Sequence, residues 1–234
     1  MTARSEGKEV SATFEEREED RRALLKKIVK EVETTSAQTG RKTLAPRLLA
    51  ALAKVRREAF VRESEAALAY VDTALPIGHG QTISQPFIVA IMTELLDLGP
   101  DEAVLEIGTG SGYQAAVLAE LARKVYSVEI VPALAERAQI TLAAEGYHNI
   151  EIRCGDGGTG WPEHAPYDAV IVTAATPEIP RALIHQLKPN GRMIVPIGPR
   201  YGMQQLLLVR KDAAGNLTQR GILSVVFVPL RTAV

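Results

Sequence analysis

The sequence predicts an α/β protein built on a doubly wound, mainly parallel Rossmann-like sheet, with added N-terminal helices and a C-terminal antiparallel strand. Three observations carry that prediction. Short apolar runs of strand character alternate with helical patterns through the second half of the chain, the arrangement of parallel βαβ units. The first of these runs, residues 104–107, passes into Gly108-Thr109-Gly110-Ser111-Gly112 and then a helical pattern from Tyr113. An apolar strand leading into a glycine turn and a helix is how such a sheet presents backbone N–H groups to a ligand. The last two runs, near 205–210 and 217–228, flank the turn 212–216 and read as a hairpin, not another crossover.

From the N-terminus, residues 1–20 hold too few apolar side chains to bury and are expected to be a charged, disordered extension or a frayed helix. Leu24, Leu25, Ile28, Val29 and Val32 then recur at helical spacing, and the polar run 34–40 ends that helix. A second helix places Leu48, Leu49, Leu52 and Val55 on one face, with Pro46 in its first turn. Residues 74–86 contain two prolines besides two glycines, which excludes a helix or a central strand. Leu75, Ile77 and Ile83 nevertheless make this stretch a shaped, partly buried loop, the kind that carries function. Pro86 opens an amphipathic helix with Ile88, Ile91, Met92 and Leu95 on one face, running to about Asp97. Residues 21–100 thus form helices and a loop, packed as one compact domain with an α/β core over 101–234.

Within that core the first strand begins near Ala103, and a helix follows over 113–122. A second strand covers 125–129, Pro132 starts a helix through Ala143, and a third strand covers 149–153. The fourth, 168–173, is apolar throughout, as a parallel strand buried on both faces should be. Pro177 and Pro180 frame a helix start, and the turn Pro189-Asn190-Gly191 precedes a strand over 192–197.

Composition narrows the function classes. Hydrophobic residues at 46% and charged residues at 24% of 234 describe an ordinary globular chain with enough length for a sizeable core. A formal net charge of −1 supplies no field to attract nucleic acid or an anionic membrane. The single cysteine, Cys154, excludes an internal disulfide framework and fits a reducing compartment. No apolar run resembles a signal peptide or a membrane span. A cytoplasmic monomer with neither nucleic-acid nor membrane partners is the expectation. His148, His164 and His185 stand at no metal-ligand spacing and read as surface residues, so no metal site is expected; Cys154 reads as a small buried filler.

The glycine turn departs from the dinucleotide pattern, because the sixth position from Gly108 is Tyr113 in place of glycine or alanine. It reads E-x-G-x-G-x-G instead, with Glu106 two residues before the first glycine. A carboxylate there suits a cationic amino-acid head and would repel a pyrophosphate, although Glu106 could also be a structural acid. Glu129 ends the second strand, where a ribose diol is usually gripped by an acid. The pair resembles the S-adenosyl-L-methionine site of class I methyltransferases.

Four stretches sharpen the resemblance: ALPIGHGQTISQP at 74–86, VLEIGTGSGYQAAVLA at 104–119, YDAVIVTAATPEIP at 167–180, and Phe227-Val228-Pro229-Leu230. In this order they resemble the protein-L-isoaspartate O-methyltransferases, over roughly residues 21–230. Arg56 stands where relatives often carry proline. The resemblance implies an enzyme that methylates the α-carboxyl of L-isoaspartyl residues in damaged proteins and peptides, leaving S-adenosyl-L-homocysteine. It implies that Ser84 is the active residue, that Glu106, Gly108, Thr109, Gly110, Ser111 and Glu129 surround the cofactor, and that Asp156 and Gly157 lie beside its adenine. Thr82, Ile83, Ser84 and Val228 would face substrate, with the peptide between 74–84 and 226–230. From the residues alone, Ser84 could equally cap the helix that Pro86 opens. A small-molecule or RNA methyltransferase and a non-catalytic cofactor-binding module are the rival readings.

Overall fold

The computed structural model describes residues 14–232. Of the expected extension over 1–20, residues 1–13 lie outside the described residues, and the rest is helical. Helix α1 (Phe14–Thr34) starts seven residues before the first expected helical position. Its Leu24, Ile28 and Val32 are buried, and the Glu- and Arg-rich turns ahead of them continue the helix on good propensity, with Glu15 and Glu16 at the favourable end of the dipole. Helices α2 (Ser36–Thr39) and α3 (Pro46–Lys54) follow. Two 3₁₀ turns, Arg57–Phe60 and Glu63–Leu68, lead to strands β1 (Leu75–Gly78) and β2 (Gln81–Ile83).

The 74–86 loop is therefore built around an antiparallel hairpin. Its tip, Gly78-His79-Gly80, has positive φ at all three residues, and Leu75, Ile77 and Ile83 anchor it in the core. Helix α4 (Pro86–Leu96) corrects another expectation. It is buried on every side except at Ile88, because α1, α3 and the sheet all pack on it. With even Thr93 and Glu94 buried, the helix has no solvent stripe to show.

The core runs β3 (Ala103–Ile107), α5 (Tyr113–Ala119), β4 (Lys124–Glu129), α6 (Pro132–Ala144), β5 (Ile150–Cys154), β6 (Tyr167–Val172), α7 (Arg181–His185), β7 (Leu187–Ile197), β8 (Gln204–Lys211) and β9 (Leu217–Val225). Seven strands form one sheet in the order β5-β4-β3-β6-β7-β8-β9. The first five are parallel, and β8 alone runs against its neighbours. Successive crossovers leave β3 in opposite directions, so the order reverses between β3 and β6, and the crevice at their carboxyl ends is where such sheets bind ligands.

Two strand boundaries moved by three residues or more. The Pro189-Asn190-Gly191 turn sits inside β7, as an irregularity in its pairing with β6 and with Asn190 at φ +62°. Strand β9 stops at Val225, three residues early: Gln204 Oε1 takes the Phe227 N–H at 2.8 Å and Ala175 N–H donates to Val228 O at 2.8 Å. The chain thereby leaves the sheet edge and crosses to the end of β6. Cys154 is exposed, not a buried filler, because β5 is the edge strand. His148 and His185 are exposed as expected, whereas His164 is half-buried, stacked on Tyr126 with ring centroids 4.1 Å apart.

Candidate active site

The glycine turn after β3 needs backbone that side chains would obstruct. Gly108 has φ +96°, and a Cβ on it would lie 2.5 Å from Thr173 Oγ1. That hydroxyl donates to the carbonyls of Ile107 and Gly108, at 3.0 and 2.7 Å, so the first residue after β6 fastens the turn from the neighbouring strand. Gly110 has φ +54°, and its N–H donates to Glu129 Oε2 at 2.8 Å. Glu129 Oε1 accepts from Val131 N–H at 2.9 Å. The acid that ends β4 is thus held in one orientation by two amides.

A slot lies over this turn. Gly108, Gly110, Glu129, Gly157, Thr173, Val228 and Leu230 line one part of it, and Thr82, Ile83, Ser84, Thr109 and Ser111 join the glycines along the other. Its walls bring bare backbone close at Gly108, Gly110 and Gly157, and one fixed carboxylate stands at the end of β4. This lining fits a cofactor with a ribose and a cationic amino-acid head. Thr109 and Ser111 are themselves nearly buried, Thr109 bonded to Ser127 Oγ at 2.5 Å and Ser111 Oγ accepting from Tyr113 N–H at 3.3 Å.

One expected cofactor residue stands elsewhere. Glu106 is 0% exposed and lies beneath the turn, off the slot wall. Ser127 Oγ donates to its Oε2 at 2.5 Å, while Oε1 has no hydrogen-bond partner. Burial pushes its pKa up to about 8, against the lowering effect of the Ser127 bond and with the Glu129 charge raising it further. Side chains alternate along a strand, and the register of β3 turns this one inward, making it a support of the turn. Asp156, next to the Gly157 wall, has Oδ1 accepting from Gly158 N–H at 2.7 Å, which caps a 3₁₀ turn.

Beside the slot opens a cavity of about 360 Å³, lined by Thr73, Ala74, Thr82, Ser84 and Gln85 on one side and by Ser224 through Val228 on the other. Thr82 and Thr173 line both the cavity and the slot, and Ser84 lines the cavity and the slot's hairpin side. Capping does not occupy Ser84. Gln85 is the N-cap of α4 without a side-chain bond, and the Phe87 N–H goes instead to Asp72 Oδ1 at 2.9 Å. Met203 and Val226, 67% and 75% exposed, stand at the cavity as an apolar rim.

Three contributors escaped sequence reading. Thr173 was visible only as the end of a strand and as one letter of the 167–180 stretch, with no role of its own. Asp72 accepts from both Phe87 N–H and Gln85 Nε2, the latter at 3.1 Å, and so braces the residues after Ser84. Arg57, 0% exposed, donates from Nη2 to Ser84 O at 2.8 Å and Thr73 O at 3.3 Å. A lone arginine among other charged residues carried no signal for such a role.

Residues 30–234 match the family model described as Protein-L-isoaspartate(D-aspartate) O-methyltransferase. The chain is 52% identical over 210 residues to Protein-L-isoaspartate O-methyltransferase 2 of Syntrophobacter fumaroxidans, covering 90% of this chain and 85% of that one. A protein of the same name from Polaromonas sp. is 51% identical over 207 residues, 88% of this chain and 98% of its own. A solved protein-L-isoaspartate O-methyltransferase superposes with a TM-score of 0.78 at 30% identity over 89% of this chain, which spans 65% of that structure's length. A Plasmodium falciparum structure in complex with S-adenosyl-L-homocysteine gives a TM-score of 0.76 over 91% of this chain and 99% of its own, and at 23% identity it shows the shared fold.

Proposed function

The chain belongs to the protein-L-isoaspartate(D-aspartate) O-methyltransferase family, whose members transfer the methyl group of S-adenosyl-L-methionine to the α-carboxyl of L-isoaspartyl residues, and we propose that transfer takes place where Thr82, Ser84 and Thr173 meet. The neighbouring backbone nitrogen then attacks the ester carbonyl and expels methanol to give a succinimide, whose hydrolysis returns part of the damaged linkage to normal aspartyl. One observation carries the placement: the cavity and the cofactor slot share the Thr82 and Thr173 walls. A peptide in the first would meet a methyl donor in the second there.

When bound, S-adenosyl-L-methionine supplies an activated methyl group. A carboxylate has a reference pKa near 4 and is already the ionised nucleophile at neutral pH, so no general base is required of the protein. Alignment of the two reactants is the main task, and it can contribute about 7–11 kcal/mol, against about 3–5 from proton transfer. Ser84 suits that task, since a neutral hydroxyl orients a carboxylate without burying a second charge. Gly108, Gly110, Gly157 and Glu129 hold the cofactor, with Thr109 and Ser111 shaping the turn around it. The peptide runs between the β1–β2 hairpin and residues 226–230, its kinked main chain meeting loop backbone, with Ile83 and Val228 packing at the transfer point.

Labelled S-adenosyl-L-methionine offered to two peptides differing only in an L-isoaspartyl or L-aspartyl linkage tests the activity, and methylation of the first alone is expected. Ser84→Ala tests the placement. Loss of a hydrogen bond to a charged group, about 1.5–3 kcal/mol, lowers kcat/KM about 10- to 100-fold with cofactor affinity retained. Unchanged turnover would remove Ser84 from the site. Among the described residues no helix is long and apolar enough to cross a membrane. A monomer in the cytoplasm completes the proposal, supported by the single cysteine, and light scattering should then give a mass near 25.3 kDa.

A further inference from the structure

Arg57 is fully buried, although it lies in a short 3₁₀ turn far in sequence from every residue of the site. A guanidinium without water needs partners that repay its desolvation. Here Nη2 donates to two backbone carbonyls, Thr73 O and Ser84 O, while Nε and Nη1 have no acceptor. The guanidinium carbon also lies 4.8 Å from the ring centroid of Tyr113. Phe60, from the same 3₁₀ turn, meets that ring edge-on with centroids 5.8 Å apart.

These partners are not scattered. Thr73 precedes the β1–β2 hairpin and Ser84 follows it, and both line the peptide cavity. Tyr113 is the first residue of α5, directly after the glycine turn, and lines the cofactor slot. One buried cation therefore joins the two stems of the hairpin to the helix that begins at the cofactor. A purely structural tie would not need a charge, since an apolar side chain of similar volume is often neutral or stabilising at such a place.

We propose that Arg57 is a positioning residue for methyl transfer: by holding the Ser84 and Thr73 carbonyls against Tyr113, it sets the distance and direction of the Ser84 hydroxyl relative to the cofactor. This rests on the reading that Ser84 orients the peptide carboxylate. A displacement of the order of 1 Å in such an arrangement lowers rate about 100-fold, and that is the scale expected here. Arg57 itself is not among the residues lining the cavity or the slot.

The experiment compares Arg57→Met, Arg57→Lys, Ser84→Ala and the double variant Ser84→Ala/Arg57→Met, with an L-isoaspartyl peptide and S-adenosyl-L-methionine. Arg57→Met should lower kcat by no more than Ser84→Ala does, up to about 100-fold, while cofactor Kd stays within threefold of wild type. Arg57→Lys returns a donor without the planar contact to Tyr113, and should recover about tenfold of the loss. Because Arg57 acts through Ser84, the double variant should be no slower than Ser84→Ala alone. Losses that multiply in the double variant, a parallel fall in cofactor affinity, or an unchanged kcat in Arg57→Met would each overturn the proposal. Should Arg57→Met fail to fold, Arg57→Lys decides: a kcat at least threefold below wild type with normal cofactor Kd supports the role, and wild-type kcat refutes it. Full activity in Ser84→Ala would mark the failure of the underlying Ser84 reading, separately from any effect at Arg57.

Discussion

Replacing Glu106 by glutamine probes the most unusual group beneath the cofactor turn. Its carboxyl titrates near 8 in the fold, raised chiefly by burial, against an ordinary value of 4.5 in the unfolded chain. Below pH 4.5 both states hold the proton and the group has no effect on stability. Between pH 4.5 and 8 the unfolded chain releases the proton while the folded one keeps it, so the unfolded state binds fewer protons and stability falls as pH rises. Above pH 8 both are ionised and the loss is complete. At about 1.4 kcal/mol per pH unit over this interval, the full loss is about 5 kcal/mol relative to a side chain that does not titrate. Glutamine matches the shape of the protonated acid and keeps a carbonyl for Ser127. From pH 5 to pH 8, the wild type should lose about 4 kcal/mol relative to Glu106→Gln. For a chain of this length 1 kcal/mol moves Tm by about 2–4 °C, so the Tm difference between the two proteins should change by about 8–16 °C. Calorimetry of both at four pH values measures it, and titrating groups not coupled to Glu106 cancel in the comparison. Parallel Tm profiles would refute the reasoning, because they would mean that Glu106 is ionised in the fold at neutral pH.

Other perturbations separate the parts of the site. Gly108→Ala places a Cβ 2.5 Å from Thr173 Oγ1 at φ +96°, where the backbone alone costs about 1–2 kcal/mol. Stability should fall by at least about 2 kcal/mol by urea titration, and S-adenosyl-L-methionine affinity by at least about tenfold by calorimetry. Met203→Glu adds a carboxylate to the exposed rim of the peptide cavity. Repulsion of the isoaspartyl carboxylate, at most about 1 kcal/mol in water, should raise peptide KM about two- to fivefold at low salt. The effect should shrink at 0.5 M salt with cofactor Kd constant, and a cofactor effect of equal size would move Met203 out of the peptide cavity.

Much of the molecule was legible because its signals are local. The alternation of apolar runs with helical periods identified the strands of the sheet and most of its helices to within a few residues. Gly108, Gly110 and Gly112 marked the turn, and Pro46, Pro86 and Pro132 marked first turns of helices. Failures occurred where a neighbour distant in sequence overruled the local pattern. The Pro189–Gly191 turn reads as a boundary, yet pairing with β6 draws Leu187 into the strand. Residues 226–228 read as strand, yet Gln204 and Ala175 take their backbone groups and turn the chain into the site.

The sequence by itself determined the fold class, the glycine turn with Glu129 at the next strand end, and the shaped loop that carries Ser84. Those properties follow from residue order along single elements: period, glycine placement and the residue type that closes a strand. Tertiary structure alone decided that Glu106 faces inward, that Thr173 walls both cavities, and that Arg57 ties Thr73 and Ser84 to Tyr113. Each depends on strand register, sheet order or a contact across tens of residues. A buried charge is written in the same letters as a solvated one, and only the packing around it distinguishes them.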